Sequence, residues 1–282
     1  MSYMDRIRAC AQSQPSRYVP FIVGDAQIGR LTRDLAPRLK AFSDTFTVTD
    51  QAVTLAEKFQ SYGARTAAMA NVLGELKAEG LVPGWRHEAY PAGLSFTAPA
   101  LFELERAAAP LFGIKGYGVH LNGYVRDGKQ TRLWIGKRSM SKPTGPGKLD
   151  QIVAGGQPVG MSLKANLIKE CAEEAAIPLQ RAEHAVSVGT VSYTTSRHEG
   201  FRNDTLFNFD LELPPTFTPA NTDGEVDDFF LWPIDKVCEM IQETDHFKFN
   251  SALVVIDFLV RHGHIEADHP DYADIVAGLH RT

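Results

Sequence analysis

At 282 residues, with 44% hydrophobic and 22% charged content, the chain has room for one large domain or two ordinary ones around a buried core. A net charge of −5 without long runs of one sign argues against wrapping nucleic acid or adhering to an anionic membrane surface, but leaves room for a small anionic ligand held by a local basic cluster. Three scattered cysteines (Cys10, Cys171, Cys238) fit free thiols in a reducing compartment, and no stretch approaches the roughly 18 uninterrupted apolar residues of a membrane span.

The first residues lack an apolar run after their charges, so no signal peptide is expected and a cytoplasmic location is the default. Asp5 to Ala11 is predicted as a short helix, and Tyr18 to Val23 as a strand turning at Gly24-Asp25. Leu31, Leu35 and Leu39 recur at helical spacing and predict a helix from Thr32 to Phe42. Phe46 to Thr49 alternates like a strand, and Ala67, Val72, Leu73 and Leu76 predict an amphipathic helix from Tyr62 that stops at Gly80. A further helix is predicted to open at Ser95 and run to about Pro110.

Past Gly113 the texture changes. Gly116 to Val125 and Thr131 to Arg138 alternate around the turn Arg126-Asp-Gly-Lys129, a hairpin signal. A helix follows from Ser162 to Ala176, then strands at Ala185 to Tyr193, Thr205 to Leu213 and Phe229 to Trp232, and a last helix from Asn250 to His262. The change of texture places a boundary near residue 115, giving modules 1–115 and 116–282 and an α+β class.

The chemistry is concentrated between Gly155 and Ile177. Gly155 and Gly156 form a loop that a ligand can approach closely, and Ser162 is a good N-cap. Glu170, Glu173 and Glu174, at i, i+3 and i+4, share one helical face, predicted to be exposed. Taken alone, such a triad is more often a solvated surface. Behind a glycine loop, a capped helix start and a hairpin, it reads as a hard-oxygen site for Mg²⁺ or Mn²⁺.

This segment resembles the Nudix box, G-x5-E-x7-R-E-U-x-E-E-x-G-U, where U is aliphatic. Gly155 matches its first glycine, Glu170, Glu173 and Glu174 its last three acids, and Cys171 and Ile177 its aliphatic positions. Met161, Lys169 and Ala176 stand where the box has glutamate, arginine and glycine. More widely, the chain resembles a Nudix subgroup with an added N-terminal domain, related to the Nudix half of fungal thiamine pyrophosphokinase-type proteins. Phe112 to Tyr124, Trp134 to Ser139, Lys142 to Asp150, Asp223 to Val226 and Phe247 to Leu253 carry that likeness.

The resemblance implies a C-terminal α/β/α sandwich with a mixed sheet, preceded by a smaller α+β domain. It implies a Mg²⁺- or Mn²⁺-dependent hydrolase cleaving a small-molecule diphosphate to the monophosphate, with thiamine diphosphate or its oxidised or damaged forms as the substrate class. It also implies a homodimer. Glu170, Glu173 and Glu174 would hold the metal and act in catalysis, with Glu225 as an added carboxylate. One rival is a non-catalytic ligand-binding module, suggested by Met161. Another is phosphoryl transfer, for which no G-x-x-x-x-G-K-[ST] loop is present.

Around the box, Lys137, Arg138, Lys142 and Lys148 are candidates for a cationic lip on the diphosphate. Ser192 to Asp204 reads as a polar loop in which Tyr193 or Phe201 could stack on a ring and Arg197 or Arg202 meet phosphate. His120, within an alternating strand, reads as a hydrogen-bonded core residue. Trp85 and Tyr90 read either as packing between modules or as closing over the substrate.

Overall fold

The computed structural model describes residues 1–128 and 130–280, so Lys129 of the hairpin turn lies outside the described residues. Helix α1 (Tyr3–Ala9) opens the chain, capped by Ser2, whose hydroxyl accepts from Asp5 N. A four-stranded sheet follows in the order β2-β1-β4-β3, built from β1 (Tyr18–Val23), β2 (Ala26–Thr32), β3 (Phe46–Val48) and β4 (Val53–Leu55). Helices α2 (Ala36–Leu39), α3 (Tyr62–Ala78) and α4 (Ala109–Phe112) accompany it, with a hairpin of β5 (Ala89–Ala92) and β6 (Phe102–Glu105). Phe21, Leu31, Met69, Leu73, Phe102 and Phe112 make one buried core here.

Two expectations fail in this half. The predicted helix from Thr32 to Phe42 is instead the end of β2 and the short α2. Pro37, lacking an amide hydrogen, stands at the start of α2 and could not sit inside a longer helix. The predicted helix from Ser95 to Pro110 is also absent: Phe102 and Leu104 alternate inward on β6, pairing with Ala92 and Tyr90. Pro99 breaks the helical run, whereas Pro110 stands in the first turn of α4, where proline is tolerated.

The second half is a mixed sheet in the order β11-β12-β7-β8-β13, with β10 on β7 and β9 on β8. Its strands are β7 (Lys115–Asp127), β8 (Gln130–Arg138), β9 (Leu149–Gln151), β10 (Val153–Gly156), β11 (Val186–Arg197), β12 (Gly200–Glu212) and β13 (Val226–Pro233). β12 runs parallel to β7 and the other pairs are antiparallel. Because helices cover both faces, β7 is buried continuously from Gly116 to Val125. One face packs on α5 (Leu163–Ala175) and α6 (Leu179–Ala182) through Val119, Leu121, Leu167 and Cys171. The other packs on α7 (Ile234–Glu243), α8 (Ser251–Arg261) and α9 (Tyr272–Leu279).

The expected polar loop from Ser192 to Asp204 is paired strand instead. β11 and β12 zip to Arg197–Gly200, closing on His198-Glu199, because Tyr193 and Thr195 bury and Ser192 bonds Thr205 at 3.0 Å. Helix α1 joins the far core: Tyr3, Met4, Ile7 and Cys10 pack among residues of α7, α8 and α9. Among the described residues no helix is long and apolar enough to cross a membrane.

Candidate active site

Ser162 caps α5 by accepting from Ala165 N at 3.2 Å, and Leu167, Cys171 and Ala175 bury one face of the helix against the sheet. Asn166 ties the helix to the preceding strand, donating to Gly156 O at 2.8 Å and Gln157 Oε1 at 3.1 Å. At the far end Ala176 takes the left-handed conformation (φ 51°), and Ile177 N reaches back to Cys171 O. This is the αL cap that explains a glycine at the corresponding box position.

The glutamate face is not exposed as expected. Glu170 and Glu174 retain 8% and 4% of their surface, because β10 lies against them. A Cβ on Gly155 would fall 2.4 Å from the Glu170 carboxyl carbon, so that glycine is what admits the side chain. Glu174 Oε2 accepts from Ala154 N at 2.7 Å. Glu173 stays open and meets Lys169 at 2.8 Å, while Lys169 also reaches Glu170 Oε1 at 3.1 Å. Lysine thus bridges two glutamates where the box has arginine.

Burial lifts the Glu170 carboxyl above its ordinary range, with the Lys169 ammonium opposing. Glu174 is raised well above, first by burial and then by the neighbouring charge of Glu170. Two nearly dry carboxylates side by side, offering hard oxygen donors, fit a divalent cation by their chemistry. Among the described residues, no three His, Cys, Asp or Glu side chains are already gathered around a common point.

The loop before β13 closes over the end of α5: Thr222 N and Oγ1 donate to Glu173 O at 3.1 and 2.6 Å. This carries Glu225 to the site, where it pairs with Lys142. Burial would raise Glu225, but Lys142 outweighs it and holds the carboxyl below its usual range. Arg138, Asp150, Glu174 and Glu225 line one small cavity, although Arg138 is itself engaged, by Asp150 at 2.8 Å and Thr144 O at 2.9 Å.

Glu170, Glu173, Glu174, Gly155, Gly156, Lys142, Glu225 and, at the cavity edge, Arg138 therefore come together. Lys148 instead bonds Asp245 at an exposed corner. Tyr193 is buried, its hydroxyl donating to Asp204 at 2.5 Å, and Arg202 is held by Glu199 at 2.8 Å and Asp204 at 3.6 Å. Their apparent loop is the paired end of the β11–β12 hairpin, where Asp204 and Glu199 engage both side chains. Arg86 and Arg106, which carry no local signal in the sequence, are brought in by the first half of the chain and bear on Glu225; Arg106 also bears on Glu170.

Residues 2–116 match a family described as a domain of unknown function, DUF4743. Nudix hydrolase 20, chloroplastic, from Arabidopsis thaliana is 45% identical over 98% of this chain and 77% of its own length. Nudix hydrolase 24, chloroplastic, from the same plant is 44% identical over 98% and 77%. The uncharacterized protein YJR142W of Saccharomyces cerevisiae is 31% identical over 85% and 75%. Among solved structures, the NUDIX domain of Shewanella oneidensis NrtR complexed with ADP ribose is similar over 52% of this chain and 90% of that one, with a TM-score of 0.40 and 14% identity.

Proposed function

Because this chain belongs to the Nudix hydrolases, we propose that it hydrolyses the pyrophosphate of a small organic diphosphate at the acidic face of α5, releasing the monophosphate. The observation that carries this reading is the pair of nearly buried carboxylates, Glu170 and Glu174, set beneath a strand whose Gly155 admits them. Glu170, Glu173 and Glu174 are the ligands for a divalent cation, Mg²⁺ or Mn²⁺, with Glu225 beside them. The cation supplies Lewis-acid polarisation of the phosphoryl oxygens and a more acidic water.

The chain's own residues do the rest. Ala154 N fixes Glu174, and Lys169 bridges and orients Glu170 and Glu173. One glutamate of the set takes a proton from the attacking water. That water's oxygen bonds to phosphorus, the bridging P–O bond breaks, and the organic monophosphate and inorganic phosphate leave. Lys142 is a diphosphate contact at the rim, and Gly155 and Gly156 shape the substrate site by admitting Glu170 and Tyr90 beside the strand.

The substrate class is thiamine diphosphate or an oxidised or damaged form of it, on the strength of the resemblance carried by Phe112 to Tyr124 and Lys142 to Asp150. We divide the chain into modules 1–115 and 116–282. The free cysteines, two of them buried, suit a reducing compartment such as the cytoplasm; two relatives bear chloroplastic names. A homodimer is part of this reading.

The test is incubation with Mg²⁺ and a panel of thiamine diphosphate analogues, NDP-sugars, dinucleotides and nucleoside triphosphates, with phosphate-containing products measured. Glu174→Gln keeps an acceptor for Ala154 N, so the fold should persist while the rate falls roughly a hundredfold or more. A silent panel, or a Glu174→Gln protein working at the wild-type rate, would sink the assignment.

A further inference from the structure

The segment from Gly84 to Ala92, within the region that matches a domain of unknown function, touches three loops around the acidic helix. Ala89 O accepts from Val159 N at 3.0 Å, in the loop leading to α5. The Tyr90 hydroxyl fills the space over Gly156, where a Cβ would come within 1.6 Å of it. Gly84 lies so close to Pro143 that a Cβ there would stand 3.1 Å from the proline ring. Arg86 Nη1 stands 3.8 Å from Glu225 Oε1.

This placement is constructed by specific bonds. The Glu105 carboxylate accepts from Arg86 N at 2.9 Å, His87 N at 3.0 Å and Ala107 N at 3.2 Å. His87 is thereby held at φ 59°, a conformation a histidine adopts at some cost. Arg106, next to Glu105, bonds Glu88 at 2.8 Å with its guanidinium 5.6 Å from the Tyr90 ring centre.

Stabilising ion pairs do not account for the two arginines. Lys142 already pairs with Glu225, so Arg86 at 3.8 Å is a surplus cation without a hydrogen bond to that carboxylate. Both guanidinium side chains keep about a third of their surface, 33% and 39%, where an ion pair contributes little. Arg86, Arg106, Lys142 and Lys169 nearly balance Glu88, Glu170, Glu173, Glu174 and Glu225. A bound divalent cation would then leave the site net positive, which suits an anionic ligand.

We propose that Arg86 and Arg106 are diphosphate-binding residues, so that the N-terminal module completes the substrate site of the hydrolase. The planar guanidinium fork matches phosphate oxygens, and Tyr90 with Glu88 fixes the plane of Arg106. The inference rests on the diphosphate-hydrolase reading above and gives the first half of the chain a role in it.

The experiment uses the full chain with Mg²⁺, and methylenediphosphonate as a hydrolysis-resistant probe followed by calorimetry. Steady-state kinetics run in parallel on whichever panel diphosphate is turned over. Arg86→Ala and Arg106→Ala should each weaken the probe about tenfold and raise KM by a similar factor, with less effect on kcat. Arg106→Lys should recover only part of the loss, since it keeps the charge and lacks the fork. Should Arg106→Ala melt early, Arg86→Ala and Arg106→Lys decide. Unchanged probe affinity and KM in folded variants would overturn the proposal while leaving the hydrolase reading intact, and so would a wild-type protein that turns over a diphosphate yet ignores the probe. A silent panel with arginine-dependent probe binding would sink the hydrolase reading and keep the binding role.

Discussion

Two residues show how burial sets charge in this protein. Glu174, beside Glu170, is raised because a second carboxylate and a strand exclude water from it. His120 is displaced the other way: it lies 3% exposed between sheet and α8, and burial pushes it down to about 4, against a partial pull upward from Asp150. Its Nδ1 is 2.7 Å from Gln151 Oε1, which suits a neutral ring donating to the amide oxygen. The folded pKa is below the ordinary value of about 6.5, so the unfolded chain binds the proton more readily between those values. Stability is therefore full above about pH 6.5 and declines as pH falls toward 4, by up to about 3 kcal/mol from this residue. His120→Gln should lose less stability than wild type between about pH 7 and pH 5 in denaturant titrations. Equal losses in the two proteins would contradict the assignment.

At the scale of the element, the site is a contact between a strand and a helix. β10 is short and carries two adjacent glycines, whose missing side chains point to opposite faces. Gly155 leaves room for Glu170 and Gly156 for Tyr90. Gly156→Ala should therefore expel Tyr90 and cost about 1–3 kcal/mol, as overpacking does. Tyr90→Ala should itself destabilise, and adding Gly156→Ala to it should cost little more. A double-mutant cycle of thermal melts checks this, and additive costs would show that the two positions do not meet. The capped start at Ser162 and the helix to Ala175 are legible locally, because capping and apolar spacing are properties of neighbouring residues. That the glutamate face is covered is not, since the covering strand's fit is made in three dimensions.

The whole molecule is sewn together from its ends. Helix α1 buries Tyr3, Met4 and Ile7 among α7, α8 and α9, and Arg6 Nε donates to Ile241 O at 2.8 Å. Cys10 reaches Phe249 O at 3.1 Å. The start of the first proposed module thus packs into the core of the second, where α1 covers α7, α8 and α9. Ile7→Ala, at 2% exposure, should cost about 2–4 kcal/mol in global unfolding, with the transition of the C-terminal half moving to lower denaturant. A loss under about 0.5 kcal/mol would mean that α1 is a surface appendage.

The sequence by itself determined the features whose cause is local or repeated along the chain. These are the hairpin of β7 and β8, the capped α5, the spacing of Glu170, Glu173 and Glu174, and the likeness to the Nudix box. It misjudged the stretches where proline overrides apolar spacing, around Pro37 and Pro99, and where polar residues pair across strands, from Ser192 to Asp204. Only the tertiary structure decided which cations attend the acidic face. Arg138 and Lys148 look equally free in the sequence, yet Asp150 on β9 and Asp245 beyond α7 already hold them, while Arg202 is taken up by its near neighbours Glu199 and Asp204 once the strands pair. Arg86 and Arg106 look like nothing in particular, yet the docking of β5 on the loop before α5 brings Arg86 beside Glu225 and Arg106 beside Gly156. The reason is that an ion pair depends on distance in space, and the sequence records only distance along the chain.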